Sequence, residues 1–511
     1  MTASQIAGGE VLSRPELTVA RQRIAILVVS MGGLVAAFMQ TLVFPIVGYL
    51  PVYLDTSVEN ASWVVTATLI SATIAMPVSG RLADMFGKRR VILGCVAFMV
   101  VGSVICALTS ELVPVIVGRG LQGVAMGVIP CGISLMRDLI DSSRVPGAVA
   151  VVSATMGIGG AIGLPVSAWV AEVADWHMLF WSAGALSAAL YLALRFFVRE
   201  SPMRASGPFD RLGGLTLCAA LICLLVPVSK GGQWGWFAPM TLGLALVGVA
   251  FFATWVFVEL RHPAPLVDLR TSVKPIILLT NCASCLLGFA MMASAVSLPQ
   301  LLQLPRVPGV VDGMNLGLVT AGLVLAPTGL IMVVVAPVSG RLISRWGPRV
   351  SLVAGGSLMT VGYASLILPP ENIWHVVASQ CVAGAGTALC YAAMPSLVMS
   401  AAPPEQSASA NSVNALCRSA GTAVGSAAVA SILAFTTSSL SDSSAGSVPP
   451  TSAFQLVLGV SAAASLAATT AALGIPYRHG TAVEVNRPAS GGDRLRPSDA
   501  DRDGRNQTSR K

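Results

Sequence analysis

The chain has 511 residues, of which 54% are hydrophobic and only 11% charged, against about a quarter charged in a water-soluble domain. That balance excludes a single fold that hides its apolar side chains from water, and it points to lipid as the solvent. The net charge of +8 is spread as short basic groups between apolar segments, not as one patch with interleaved aromatics, which argues against a nucleic-acid partner.

In chain order, apolar runs long enough to cross hydrocarbon lie near 24–47, 62–81, 91–109, 112–135, 147–172, 178–198, 212–229, 238–259, 275–299, 315–338, 350–368, 374–399, 410–435 and 452–475. A span needs about 20 residues at 1.5 Å each. Open backbone cannot face lipid, and no short alternating strands of a barrel are present, so the spans read as fourteen helices. The first run is too long for a cleaved leader, so the expectation is that it stays in the membrane. The fold class is all-α, a polytopic membrane protein. The ten cysteines all fall in apolar segments, where a thiol behaves as a small hydrophobe. Cys282 and Cys285 lack a second pair, so no metal site and no cofactor are expected.

Charge tests the helix count. With the start placed inside, 27 of the 31 Lys and Arg fall on the cytoplasmic side, and only Lys230 and Arg306 fall outside. Such segregation is the positive-inside rule, and it predicts a multi-pass protein of the cell membrane with both termini cytoplasmic. Arg119 and Arg418 are the two cations left within spans.

The chain also repeats itself. Pro77-Val78-Ser79-Gly80-Arg81-Leu82 returns as Pro337-Val338-Ser339-Gly340-Arg341-Leu342, and Gly87 and Arg89 return as Gly347 and Arg349 at the same offset of 260 residues. Each copy closes the second span of a set of six, so two pseudo-symmetric six-helix bundles are expected, an architecture of transporters. The expected organisation is a cytoplasmic segment 1–23, a first bundle 24–198, linkers with two inserted helices at 199–274 (about 212–229 and 238–259), a second bundle 275–475, and a disordered cytoplasmic tail 476–511.

The segment after the second span, Gly80-Arg81-Leu82-Ala83-Asp84-Met85-Phe86-Gly87-Lys88-Arg89-Arg90, resembles the signature loop of the major facilitator superfamily. Physically, Asp84 suits a helix N-terminus or an ion pair. The resemblance implies a latch between the two halves, formed by Gly80, Asp84, Gly87, Lys88, Arg89 and Arg90 with Gly340 and Arg341 of the second copy, which has Ser344 in place of the acid. In the fourth span, Arg119, Gln122 and Gly123 resemble the family's Arg-x-x-Gln-Gly motif. A charge there costs about 2.5 to 3.5 kcal/mol to insert and should face the interior. The resemblance implies a part in proton transfer, or in tuning a nearby acid, for Arg119, and a buried hydrogen-bond donor is the other reading. Gly157, Gly159, Gly160, Gly163 and Pro165 are similar to the glycine-rich fifth-helix motif of antiporters, which implies packing against the counterpart helix of the other half.

Asp175-Trp176-His177, the stretch 229–236 and Pro265-Leu266-Val267-Asp268-Leu269 extend the likeness to the fourteen-helix drug:proton antiporter branch. Their tryptophans read as interfacial anchors. Asn411, Asn414, Arg418, Gly421 and Gly425 fall on one helical face, with Arg418 about 12 Å in from the helix start. That stripe faces the central cavity or the opposing bundle, or else it is a helix-packing seam with a locked arginine.

Met39 stands where the branch carries a first-helix aspartate, and no acid sits in the middle of a span. Asp138 and Glu172, with Arg119, are the candidates for proton coupling. Gln40 and Thr41, beside a kink expected at Pro45, join Gln122, Asn411, Asn414 and Arg418 as candidates for the substrate cavity. The leading expectation is a monomeric secondary transporter, not an enzyme, that exports amphipathic small molecules in exchange for protons. A dedicated exporter of one metabolite and a non-transporting membrane sensor are the alternatives.

Overall fold

The computed structural model describes residues 18–476 apart from 44, 45, 48, 206, 308–310, 369, 371 and 439–448. The expected tail and the first 17 residues of the N-terminal segment lie outside the described residues. Long helices follow one another along the chain. The first six are α1 (Val19–Thr41), α2 (Trp63–Phe86), α3 (Lys88–Leu108), α4 (Leu112–Leu139), α5 (Val145–Val173) and α6 (His177–Phe197). Two more, α7 (Arg211–Trp234) and α8 (Pro239–Arg261), precede a second set. That set is α9 (Pro275–Gln303), α10 (Pro327–Trp346), α11 (Pro348–Ser365), α12 (Ile373–Ala401), α13 (Ser407–Ser438) and α14 (Thr451–Leu473).

Among the described residues, thirteen helices are long and apolar enough to span a bilayer, against the fourteen expected. The helix that falls short is α11, only 18 residues long. It opens on Pro348 and Arg349, and glycines at 355, 356 and 362 dilute its apolar character. It is nonetheless packed between α12 and α14 like its fellows.

Other boundaries also moved. The first helix starts at Val19, inside the segment expected to precede it, and ends at Thr41; Pro45, where a kink was expected, lies outside the described residues. Helix α2 runs on through Phe86, so the signature segment is no loop. It is a helix end, a one-residue turn and a helix start. Gly87, with φ of 110°, makes that turn, and Gly347, with φ of 84°, makes the equivalent turn between α10 and α11. A side chain at either position would be strained.

The bundles meet in a pseudo-symmetric way. Helix α2 packs on α13, and α10, its equivalent in the repeat, packs on α5. Small residues make the second seam, where Ala150 and Ala154 of α5 pack with Ala336 and Ile343 of α10 and Ala392 of α12. The inserted α7 lies against α2 and α13, while α8 packs chiefly on α7. The first bundle has its own apolar core; the second buries a separate one.

Candidate functional site

The two copies of the repeated hexapeptide sit at the same end of the bundles, here called the repeat side. Gly80 lies so close to α13 that an added Cβ would stand 2.9 Å from the Ala408 carbonyl oxygen and collide with Ser412, and a Cβ on Gly340 would stand 3.0 Å from Gly147 at the start of α5. Asp84, at 0% exposure, reaches from α2 to the first turn of α13. Its Oδ1 accepts from Ala408 N at 3.1 Å, and its Oδ2 accepts from Ser409 N at 2.8 Å and Ser409 Oγ at 2.6 Å. These N–H groups have no partner within their own helix, and the positive end of its dipole favours the anion.

Lys88 completes the junction. Its Nζ donates to Ser407 Oγ of the second bundle at 2.9 Å and pairs with Asp138 of α4 at 2.5 Å. Asp138 also accepts from Ser201 Oγ at 2.5 Å. As a proton-coupling candidate, then, Asp138 is placed within the latch, where it counters a buried cation.

The other latch candidates divide. Arg89 stays within its own bundle, donating to the last carbonyls of α6 at Leu194 (3.3 Å) and Arg195. Arg349, its repeat partner, does the same for α14 at Ala472 (3.4 Å) and Leu473. Arg90 and Arg341 are exposed. These three cations were expected to bridge the halves, and the structure points two of them to solvent and one to a helix C-terminus, where a cation is favoured. Glu200, which sequence reasoning passed over, accepts from Arg89 N (2.9 Å) and Arg90 N (3.1 Å) and so caps α3. Ser407 and Ser409 were missed too, although serines ahead of an apolar run are a helix-start signal.

Arg119 is fully buried and donates from one nitrogen to Gln122 Oε1 at 2.6 Å and to the Met39 carbonyl at 3.3 Å. Gln122 Nε2 passes the chain on to Ser103 Oγ at 2.8 Å. Among the described residues no acid pairs with Arg119, so the arrangement is that of a buried donor tying α4 to α1 and α3 rather than a cation tuning a carboxyl. The side chain of Glu172 lies outside the described residues.

The stripe on α13 does not face one thing. Asn411 donates to Ser134 Oγ of α4 in the other bundle at 3.4 Å. Asn414 donates to Asn281 Oδ1 (2.9 Å) and Ser284 Oγ (2.6 Å) of α9, and Gly421 and Gly425 abut the backbone of Cys285 and Phe289 on that same helix. Half-buried Arg418 stacks over the Tyr391 ring, 4.8 Å from its centroid. Most of the stripe is thus a packing seam within the second bundle.

The cavity candidates are corrected accordingly. Gln122, Asn411 and Asn414 are buried and already bonded. Thr41 Oγ1 donates to Phe38 O of its own helix at 3.1 Å. Gln40, Thr41 and Arg418 are half-buried and keep exposed surface. A mainly apolar cleft of about 30 Å³, enough for a single water, lies instead along α2 and α13, where Leu69, Ile70, Leu225 and Met292 line it together with hydroxyls such as those of Thr73 and Ser419.

On α5, Gly159 and Gly163 receive α1 at Leu34 and Thr41, Gly157 receives Met332 of α10, and Gly160 meets nothing within 4 Å. Pro165 lies inside the same helix. Among the described residues, the glycines of this motif meet α1 and α10, and not the counterpart helix α13 that was expected. Trp176 is not an interfacial anchor either: it is buried and stacked on Tyr53 at 5.7 Å.

Hydrogen bonds join the bundles from the repeat side inward, through Asp84, Lys88 and Asn411, then Ser153 Oγ to the Tyr391 carbonyl at 3.1 Å, and deepest at Thr73 Oγ1 and Ser419 Oγ, 3.0 Å apart. This is the geometry of a seam closed at one end.

The profile of the Major Facilitator Superfamily matches residues 29–426. Multidrug resistance protein 3 of Bacillus subtilis is 24% identical over 421 residues, 80% of each chain. Multidrug resistance protein Stp of Mycobacterium tuberculosis is 25% identical over 379 residues, 74% of this chain and 69% of that protein. An uncharacterised MFS-type transporter of Mycobacterium tuberculosis is 28% identical over 366 residues, 70% of this chain but only 51% of the relative. Among solved structures, the proton:xylose symporter XylE superposes with a TM-score of 0.61 at 13% identity, covering 88% of this chain and 95% of that one. The human organic anion transporter MFSD10 (TETRAN) does so with 0.60 at 14% identity, covering 88% and 99%. These likenesses, with the two bundles and the two inserted helices, make the chain an integral multi-pass membrane protein that belongs to the major facilitator superfamily.

Proposed function

We propose that this transporter exports amphipathic organic compounds in exchange for protons, as a monomer in the cell membrane with its repeat side and both termini in the cytoplasm. The charge segregation of the sequence supports that orientation. Two relatives named as multidrug resistance proteins support the substrate class and direction.

The observation that carries the mechanism is the capping of α13 by Asp84 of α2. A buried carboxylate held by the helix start of the opposite bundle closes the cytoplasmic end of the seam. Opening inward must break it, together with the Lys88 to Ser407 bond beside it. Alternating access then becomes an exchange between this closed seam and one in which Asp84 and the first turn of α13 find other partners.

Inverted membrane vesicles containing the protein test this with a fluorescent amphipathic cation. Energised vesicles should accumulate the dye, and a protonophore should abolish the uptake. Uptake only into right-side-out vesicles, or uptake indifferent to the pH gradient, overturns the exporter reading.

A further inference from the structure

The inserted hairpin carries two acids that neither the latch nor helix packing uses. Asp210, the residue before α7, and Glu259, in the last turn of α8, are 1% and 2% exposed. Each commits one oxygen to a backbone N–H. Asp210 Oδ1 accepts from Gly213 N at 2.7 Å as the cap of α7, and Glu259 Oε1 accepts from Val267 N at 2.5 Å. The remaining oxygens, Asp210 Oδ2 and Glu259 Oε2, are buried without a hydrogen-bond partner. They are neighbours, since a Cβ on Gly213 would collide with Asp210 Oδ2 and stand 2.7 Å from Glu259 Oε2.

Two carboxylates facing each other away from water cannot both be ionised at acceptable cost. A single proton removes the conflict, because one O–H···O bond satisfies both orphan acceptors at once. The neighbouring imidazole of His262 does not do this job. His262 Nδ1 is 3.8 Å from Asp210 Oδ2, too far for a hydrogen bond, and that nitrogen accepts from Ala264 N at 3.2 Å. Among the described residues no other cation is ion-paired with either acid. Arg81 of α2, Arg204, Asp268 and Glu405 instead surround the adjoining cavity of about 220 Å³. Arg211 and Arg261 are exposed, the latter stacked over Phe257.

We propose that Asp210 and Glu259 form a one-proton site, with the proton on Glu259 Oε2 donated to Asp210 Oδ2, and that its release frees the 263–268 linker from the seam between the bundles. The helix ends decide which acid holds the proton. Asp210 sits at the N-terminus of α7, which favours a negative charge, and Glu259 sits at the C-terminus of α8, which opposes one. The linker is the element under control, because Val267 hangs from Glu259. Leu266 and Val267 also join Leu217, Leu221 and Leu225 of α7 in an apolar cluster against which Ile70 and Ile74 of α2 and Val413 and Leu416 of α13 pack. When the proton leaves, repulsion displaces Glu259 rather than the capped Asp210, and the Val267 bond goes with it. This rests on the reading of the α2–α13 seam as the part that opens, and it gives the transporter a titrating group outside its two bundles.

The test uses the full-length protein in lipid nanodiscs, with two readouts that need no transport. Hydrogen exchange of the 263–268 linker, corrected for intrinsic rates, is followed against pH, and infrared difference spectra follow the carboxylic C=O band. The expected result is a fall in linker protection of at least about tenfold as the pH rises, with loss of one carboxylic band. In Glu259→Gln, whose amide keeps a donor for Asp210, the linker should stay protected at every pH and the band should be missing. Linker protection in the unaltered protein that ignores pH, or an unchanged titration in Glu259→Gln, overturns the proposal. Failure of the vesicle assay alongside a titrating linker would remove the exporter reading and leave this site standing.

Discussion

Ser409 donates twice to Asp84, through its N–H at 2.8 Å and its hydroxyl at 2.6 Å, although 325 residues separate the two in sequence and they belong to different bundles. One carboxylate oxygen thus holds two elements that alternating access must part.

Asp84→Asn keeps the shape and removes the charge. The loss of a charge-assisted helix cap should weaken the closed seam by about 2 kcal/mol. The amides of Ala408 and Ser409 should then exchange faster by about one to two orders of magnitude, with membrane insertion unaffected and efflux reduced. Unchanged exchange at those amides would show that the cap does not hold the seam shut.

Gly80→Val should force α2 and α13 apart, because there is no room for a Cβ between Gly80 and Ser412. Overpacking of this kind costs about 1 to 3 kcal/mol. Gly94→Val on α3, where nothing lies within 4 Å, serves as the control. Equal thermal stability and equal exchange of α13 in the two variants would contradict the close approach.

Lys88→Met leaves Asp138 buried opposite no cation, a change that costs about 3 to 5 kcal/mol. Asp138→Leu alone should be as harmful for the mirror reason. The double variant should recover much of the loss, since removing both charges also removes their desolvation. Purely additive effects in a thermal-unfolding cycle would mean that the two side chains do not act as a pair.

Gln122→Leu strips Arg119 of its 2.6 Å partner and leaves only the Met39 carbonyl at 3.3 Å. A buried guanidinium so exposed to apolar surroundings should lower stability by about 2 to 4 kcal/mol. Gln40→Leu, at a half-exposed position, should change the melting temperature far less. Comparable melting temperatures would place Arg119 in water rather than in the protein interior.

Span positions, the repeat and the side on which cations gather were legible in the sequence because each depends on local composition and length. The element α11 was read as a span from its apolar residues, and its short, glycine-diluted helix shows how far such reading goes. Asp84 could be recognised as a residue suited to a helix N-terminus, but nothing local to it says whose N-terminus that is.

Helical periodicity established by itself that Asn411, Asn414, Arg418, Gly421 and Gly425 share a face. Only the tertiary structure decided that Asn411 meets α4, that Asn414 and both glycines meet α9, and that Arg418 turns to Tyr391. The same holds for Lys88 with Asp138 and for Asp210 with Glu259. Period and hydropathy are properties of one helix, whereas the partner of a buried charge is set by which helices pack together, and that is a property of the whole bundle.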